Sequence, residues 1–274
     1  MNEQTPTRRI ILATIVAGLS ILLALAAYIF WPSAVPVRPS DAAPVAEDAA
    51  KSADEAVAAA GMSPADRKAT EALVKAYILE NPEIITDAVA ILQQREVAQR
   101  LSAVGNDIAK PFPGAEAGNP KGDVTIVEFT DYNCGFCRAS VPDVQRLLKN
   151  DGNIRLVYRE LPILSQSSRD AALWALAAAR QGKHKAFHDA LFSGGRADAA
   201  NIAAAARKAG LDITTARAFA ASSQASQEIE RNLAFMQQIG FNGTPTFIIG
   251  DQILEGALGY EALKRAVEKA RQKG

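Results

Sequence analysis

The chain contains two cysteines, three apart as Cys134-Gly135-Phe136-Cys137, just after the apolar run Val124–Phe129. Two sulfurs at that spacing can close a disulfide across one helical turn, and a strand-to-helix junction suits them to thiol–disulfide exchange. If a helix starts at Cys134, unpaired backbone N–H groups and the positive end of the helix dipole favour an anion at its sulfur. The attacking species is the thiolate, so this position activates Cys134. Cys137, one turn later, is placed to resolve what Cys134 forms and is the more buried of the two. A zinc site lacks ligands, since there is no further cysteine and His184 and His188 lie far along the chain. A purely structural disulfide around so small a loop would restrain the unfolded chain little.

Other residues bear on the same chemistry. Glu128 is a charged residue inside the apolar strand, six before Cys134. Buried there, its carboxyl would hold a raised pKa and could shuttle a proton; on an alternating strand it would face solvent instead. His184 and His188 stand four apart on one predicted helix, with no third ligand evident. They read as packing or surface residues, and Trp174 and Phe187 as core anchors.

The elements that must position the cysteines follow from periodicity and punctuation. Val124–Phe129 reads as a buried strand, Arg138–Lys149 as a helix interrupted or kinked near Pro142, and Ile154–Tyr158 as a second strand. An Ala-rich helical block broken by glycines spans 168–240. Thr246–Ile249 and Gln252–Leu254 form a hairpin about Gly250-Asp251, and Glu261–Arg271 is a closing helix. Upstream, Ser63-Pro64 and Asn81-Pro82 each give a helix start. The helical pair over 63–110 is too small to bury a core alone, so its apolar stripe meets either the catalytic domain or a copy of itself. Lys110–Pro120 reads as a linker into the domain at 111–274.

Residues 34–62, rich in Ala, Pro, Asp and Glu, read as a flexible tether. Residues 1–33 read as a cytoplasmic stub and a transmembrane anchor. Ile10–Trp31 carries no charge, Arg8 and Arg9 precede it, and the positive-inside tendency sends the rest of the chain across the membrane. A cleaved signal, with Ala24-Leu25-Ala26 at its cleavage site, is the alternative. Either way the cysteines reach an oxidising space, in a bacterium the periplasm. Formal charge is zero, with 30 basic and 30 acidic residues and no basic stripe, which argues against nucleic acid as a partner.

A CxxC beside a βαβ pattern is a thioredoxin-like signature. The segments Val127–Cys137, Arg159-Glu160-Leu161-Pro162, Phe187–Phe192 and Gly243-Thr244-Pro245-Thr246-Phe247 together resemble the DsbA family of thiol–disulfide oxidoreductases. The stretch Tyr77-Ile78-Leu79-Glu80-Asn81-Pro82-Glu83 is similar to the amino-terminal segment of ScsC-type members, which self-associate. The resemblance implies an α/β thioredoxin-like fold with a helical insertion, preceded by a small helical segment. It implies Cys134 as exposed nucleophile, Cys137 as resolving thiol, and Glu128 as the acid beneath the site that deprotonates Cys137. Pro245 matches the family's cis-proline; with Thr244 and the Gly135-Phe136 dipeptide it would bind substrate. No cofactor or metal is implied.

The expected activity is protein disulfide exchange on exported proteins, with a membrane redox partner that resets the pair. The Gly135-Phe136 dipeptide adds no charge, which predicts a mild oxidant. Thr244 matches the choice seen in dimeric isomerases, and self-association would supply a multivalent cleft. These features favour an isomerase or reductase; a dithiol oxidase is the alternative. A periplasmic copper-binding protein is the alternative of another class, since paired thiolates suit Cu(I).

Overall fold

The computed structural model describes residues 43–273, which divide into two units between Asn81 and Pro82. The anchor expected over Ile10–Trp31 lies outside the described residues; among those described, no helix is long and apolar enough to cross a membrane.

The first unit holds α1 (Ala43–Ala59) and α2 (Pro64–Glu80). The tether expected over 34–62 is thus corrected: much of it is helix. Alanine has the highest helix propensity, and a helix can form on that basis where no core can. Helix α2 begins with a capping box, in which the Ser63 hydroxyl accepts the Asp66 N–H while the Asp66 carboxylate accepts from the Ser63 N–H. None of its residues is buried, and Leu73, Val74, Tyr77 and Leu79 lie exposed.

The second unit opens with α3 (Glu83–Val104), which had been expected to pair with α2 in one separate segment over 63–110. Its last turn instead packs Leu101 and Val104 beside Ile108, Phe235 and Ile239 in the core of the second unit. The expected linker Lys110–Pro120 is corrected as well. Phe112 and Ala115 are buried, and β1 (Glu116–Gly118) pairs with β3 (Ile154–Glu160). Gly114 permits this entry: at φ +86° it sits where a Cβ would lie 2.1 Å from the Ala179 carbonyl oxygen.

The sheet runs β1-β3-β2-β4-β5, with β2 (Val124–Thr130) parallel to β3. β4 (Thr246–Ile249) is antiparallel to β2 and forms a hairpin with β5 (Gln252–Glu255). Alternation along the strands divides two cores. Ile126, Leu156 and Phe247 meet α4 (Gly135–Asn150) and α10 (Tyr260–Lys273). Val127, Val157 and Ile248 face the end of α3 and α9 (Ser223–Ile239). Helix α4 is continuous through Pro142.

Between β3 and β4 lie α5 (Gln166–Arg180), α6 (His184–Ser193), α7 (Ala199–Lys208), α8 (Ile213–Ala220) and α9. Their alanine-rich faces, with Phe187, Leu191 and Phe192, form a third core that also takes in Tyr132, Cys134 and Cys137.

Arg159 ties the amino-terminal approach to this insertion. It is 1 % exposed, pairs with Glu228 at 2.7 Å, and donates to Asn232 and to the carbonyls of Asp107, Ile108 and Lys110. Removing one partner of a buried ion pair leaves the other charge unpaired, a loss of roughly 3–5 kcal/mol. Arg159→Ala is therefore expected to lower the urea midpoint by that amount of stability with an unchanged m-value, as equilibrium unfolding would show.

Candidate active site

The local sequence folds Cys134 onto the amino terminus of α4 as its N-cap, in extended backbone conformation. Its sulfur accepts the Cys137 N–H at 3.4 Å, which satisfies one of the donors that a helix start leaves free. Asp131 holds the preceding loop, accepting the N–H groups of Asn133 (2.8 Å), Ile163 (3.0 Å) and Leu164 (3.0 Å). The Asn133 side chain donates to Ser165, Ser167 and Ser168 and accepts the Ala197 N–H. Arg138, one residue past the CxxC, donates to the carbonyls of Phe192 and Gly195. The dithiol loop is thus clamped to the insertion on both sides.

The sequence placed Cys134 as an exposed nucleophile, and here it is only 6 % exposed, against 0 % for Cys137. The reason is its neighbour across the site. The Thr244–Pro245 bond is cis, and the Thr244 carbonyl accepts from the Cys134 thiol at 3.1 Å. Exposure passes to the dipeptide, where Phe136 is 68 % exposed. Leu164 and Leu258 are also exposed, and the Leu258 loop is tied to the site because Gly256 N–H donates to the Pro245 carbonyl. Thr244, Pro245, Gly135 and Phe136 therefore lie around the thiols.

Both thiols are free, and their proton affinities are driven apart. The Cys137 thiol, donating to the Cys134 sulfur, and then the N–H groups of the first helical turn, hold Cys134 down to about 5 in spite of its burial. Burial first, and then the adjoining Cys134, push Cys137 well up. One sulfur is a ready thiolate at neutral pH and the other keeps its proton. The neutral Gly135-Phe136 dipeptide adds no charge; the help comes from Cys137 and from the backbone N–H groups, the latter as a helix start at Cys134 predicts.

Glu128 is 1 % exposed, so the solvent-facing alternative for it falls away. It shares the face of Ile126, the face that α4 covers, and burial together with the charge of Glu160 raises its carboxyl to about 8. The pairing of β2 with β3 sets Glu128 opposite Tyr158. Sequence reasoning missed the group beyond it. Glu160 Oε1 accepts from the Tyr132 hydroxyl at 3.2 Å and lies 2.7 Å from His184 Nε2. His184 and His188 are both buried and stack on Tyr158 at 4.6 and 4.8 Å between ring centroids. The available signal was parity: Glu128 in β2 and Glu160 in β3 both occupy inward positions. Among the described residues, no three of His, Cys, Asp or Glu gather in a metal-holding arrangement.

The thioredoxin family model matches residues 113–269, more than half of the chain. The chain belongs to the thioredoxin family. The model of the copper resistance protein ScsC amino-terminal domain matches residues 66–99. A thioredoxin-like oxidoreductase from Silicibacter pomeroyi DSS-3 is 44 % identical at TM-score 0.56, covering 58 % of this chain and 94 % of its own. A linker-deletion mutant of Proteus mirabilis ScsC is 27 % identical at TM-score 0.58, covering 78 % of this chain and 98 % of its own. Among curated relatives, the Na(+)/H(+) antiporter NhaA 1 of Salinispora arenicola is 31 % identical over 156 residues. That match spans 56 % of this chain and only 24 % of the antiporter. Within the thioredoxin family, this chain is similar to DsbA-like and ScsC-type members.

Proposed function

We propose that this oxidoreductase isomerises or reduces wrong disulfides in exported proteins, acting in the periplasm and tethered through its amino terminus. The Cys134 thiolate attacks a substrate disulfide, displaces one substrate sulfur as thiolate, and holds the other as a mixed disulfide. A second substrate thiol can then attack the substrate sulfur and release Cys134 still reduced, which completes isomerisation. Alternatively Cys137 gives its proton to Glu128 and attacks Cys134, leaving the substrate reduced and a Cys134–Cys137 disulfide that a membrane partner resets. An extended substrate segment lies along Thr244 and Pro245, with Phe136 as its apolar contact.

The observation that carries the isomerase direction is α2, which buries none of its residues among the described part of the chain. The exposed Leu73, Tyr77 and Leu79 offer a stripe for a second copy of the chain. Several dithiols gathered on one assembly can hold a misfolded substrate while one of them attacks. Leu79→Asp is expected to lower the sedimenting mass and to reduce recovery of a scrambled-disulfide protein severalfold, while oxidation of a short dithiol peptide continues unchanged. Full recovery by the dissociated variant would remove the assembly from the mechanism.

One observation favours the dithiol oxidase instead. A thiol held down to about 5 stabilises the reduced pair, and that makes the disulfide a stronger oxidant. Rapid oxidation of a reduced peptide with no recovery of the scrambled protein would move the assignment there.

A further inference from the structure

The buried polar group behind the dithiol contains more proton-carrying side chains than exchange through Cys134, Cys137 and Glu128 requires. Glu160 is 0 % exposed, and it is the diagonal neighbour of Glu128, two residues beyond Tyr158 on the adjacent strand and on the same face. Across that register the two side chains are within reach of each other. A buried carboxylate needs compensation, and Glu160 has it on one oxygen only, from His184 and Tyr132. Its second oxygen has no protein partner, and neither do Glu128 Oε1, His184 Nδ1 and His188 Nε2. A group built for stability alone would satisfy these atoms or replace them with apolar ones.

The groups facing Glu128 come from several elements. β3 supplies Tyr158 and Glu160, and the loop before α4 supplies Tyr132. Helix α6 adds His184 and His188, the latter 3.3 Å from Asp189, which pairs in turn with Lys185 near the surface. β4 contributes Phe247, while the buried residues of α5 are alanines, Leu176 and Ser168. Tyr132 and Tyr158 are pushed far above the ordinary tyrosine range by burial and by these carboxylates, so both remain neutral donors. Burial likewise lowers His188, which stays neutral at physiological pH. The negative charge nearest Glu128 is therefore that of Glu160.

We infer that Glu160, anchored by His184 and Tyr132, is a positioning residue for disulfide exchange that strengthens Glu128 as the base of the resolving step. This rests on the reading of Glu128 as the base for Cys137. In that step the Cys137 proton passes to ionised Glu128, the Cys137 and Cys134 sulfurs bond, and the Cys134–substrate S–S bond breaks. The substrate sulfur leaves with the electron pair as a thiolate. The charge of Glu160 makes Glu128 a stronger base, and it also raises the pH at which that base is available. His184 secures the carboxylate so that the effect is constant.

The test is single-turnover reduction of a fluorophore-labelled peptide disulfide by the reduced full-length protein across pH, for the native chain, E160Q, E128Q and E128Q/E160Q. The native rate should rise with pH as Glu128 ionises, and E160Q should move that inflection down by about half a pH unit or more. In the E128Q background E160Q should have no such effect. An E160Q variant that slows the step evenly with its inflection unmoved, or that acts equally in the E128Q background, overturns the inference. If E128Q leaves the native profile intact, the base assignment itself fails, and the inference fails with it. Should E160Q not fold, carbon-13 carboxyl titration of the unmodified protein decides. Glu128 and Glu160 titrating as a coupled pair supports the inference, and independent single steps overturn it.

Discussion

Cys134→Ser is expected to leave no catalysed exchange above the background rate, and Cys137→Ser to accumulate mixed disulfides that non-reducing gels would show. The asymmetry follows from the two environments. Cys134 is held down to about 5 at the start of α4, while Cys137 is buried and keeps its proton. Acidity at Cys134 does not chiefly speed attack. Relative to a free thiol near 8.5, it raises the thiolate fraction at neutral pH roughly 30-fold. The same drop in basicity, with a Brønsted coefficient near 0.4–0.5, lowers intrinsic nucleophilicity by roughly the same factor. The two effects cancel, and what remains is Cys134 as a good leaving group. A substrate thiol that attacks the mixed disulfide expels Cys134 readily, and this is the step that ends both isomerisation and oxidation. A Cys137→Ser protein that isomerised as well as the native chain would show that substrate thiols alone resolve the intermediate.

The parts of this site that were legible in the sequence are those whose signal is local. A CxxC following an apolar strand, an acid inside that strand and a Gly-Thr-Pro-Thr turn sit within a few residues of their own structural cause. The cis bond at Pro245 agrees with what the family resemblance implied. The Glu160–His184 contact joins residues 24 apart on a strand and a helix, and no spacing rule brings them together. β1 was read as linker because three residues, Glu116–Gly118, carry no alternation to detect; a partner strand and a buried Phe112 define it. The helix α1 was read as tether for the opposite reason. A composition too poor to build a core can still form a helix, because alanine propensity acts without tertiary contacts. Likewise α3 carries one apolar pattern along its length, but only its last turn meets the core of its unit, a division set by where α9 happens to pass.

The reduced protein is expected to melt above its disulfide form at neutral pH, with the gap closing as the solution is acidified. The sign follows from linkage. Cys134 in the folded reduced chain has its proton affinity lowered to about 5, from an unfolded thiol near 8.5. A group with a depressed folded pKa contributes stability that is complete above its unfolded value and disappears as pH falls through its folded value. Only the reduced form has this contribution. The disulfide offers little in return, because closing a loop of four residues removes little freedom from the unfolded chain. Melting both redox forms from about pH 8 down to below pH 5 checks the window directly. The same comparison fixes the redox poise, since the margin by which the reduced fold is more stable is the margin by which the disulfide seeks electrons. A wide margin at neutral pH means that the pair is readily reduced and that keeping it oxidised needs a dedicated electron acceptor, as a dithiol oxidase requires, whereas a narrow margin suits an isomerase or reductase. An oxidised form that melts higher would mean that the first turn of α4 does not stabilise the thiolate, and Cys134 would then be an ordinary thiol with neither the leaving-group advantage nor the oxidising power argued here.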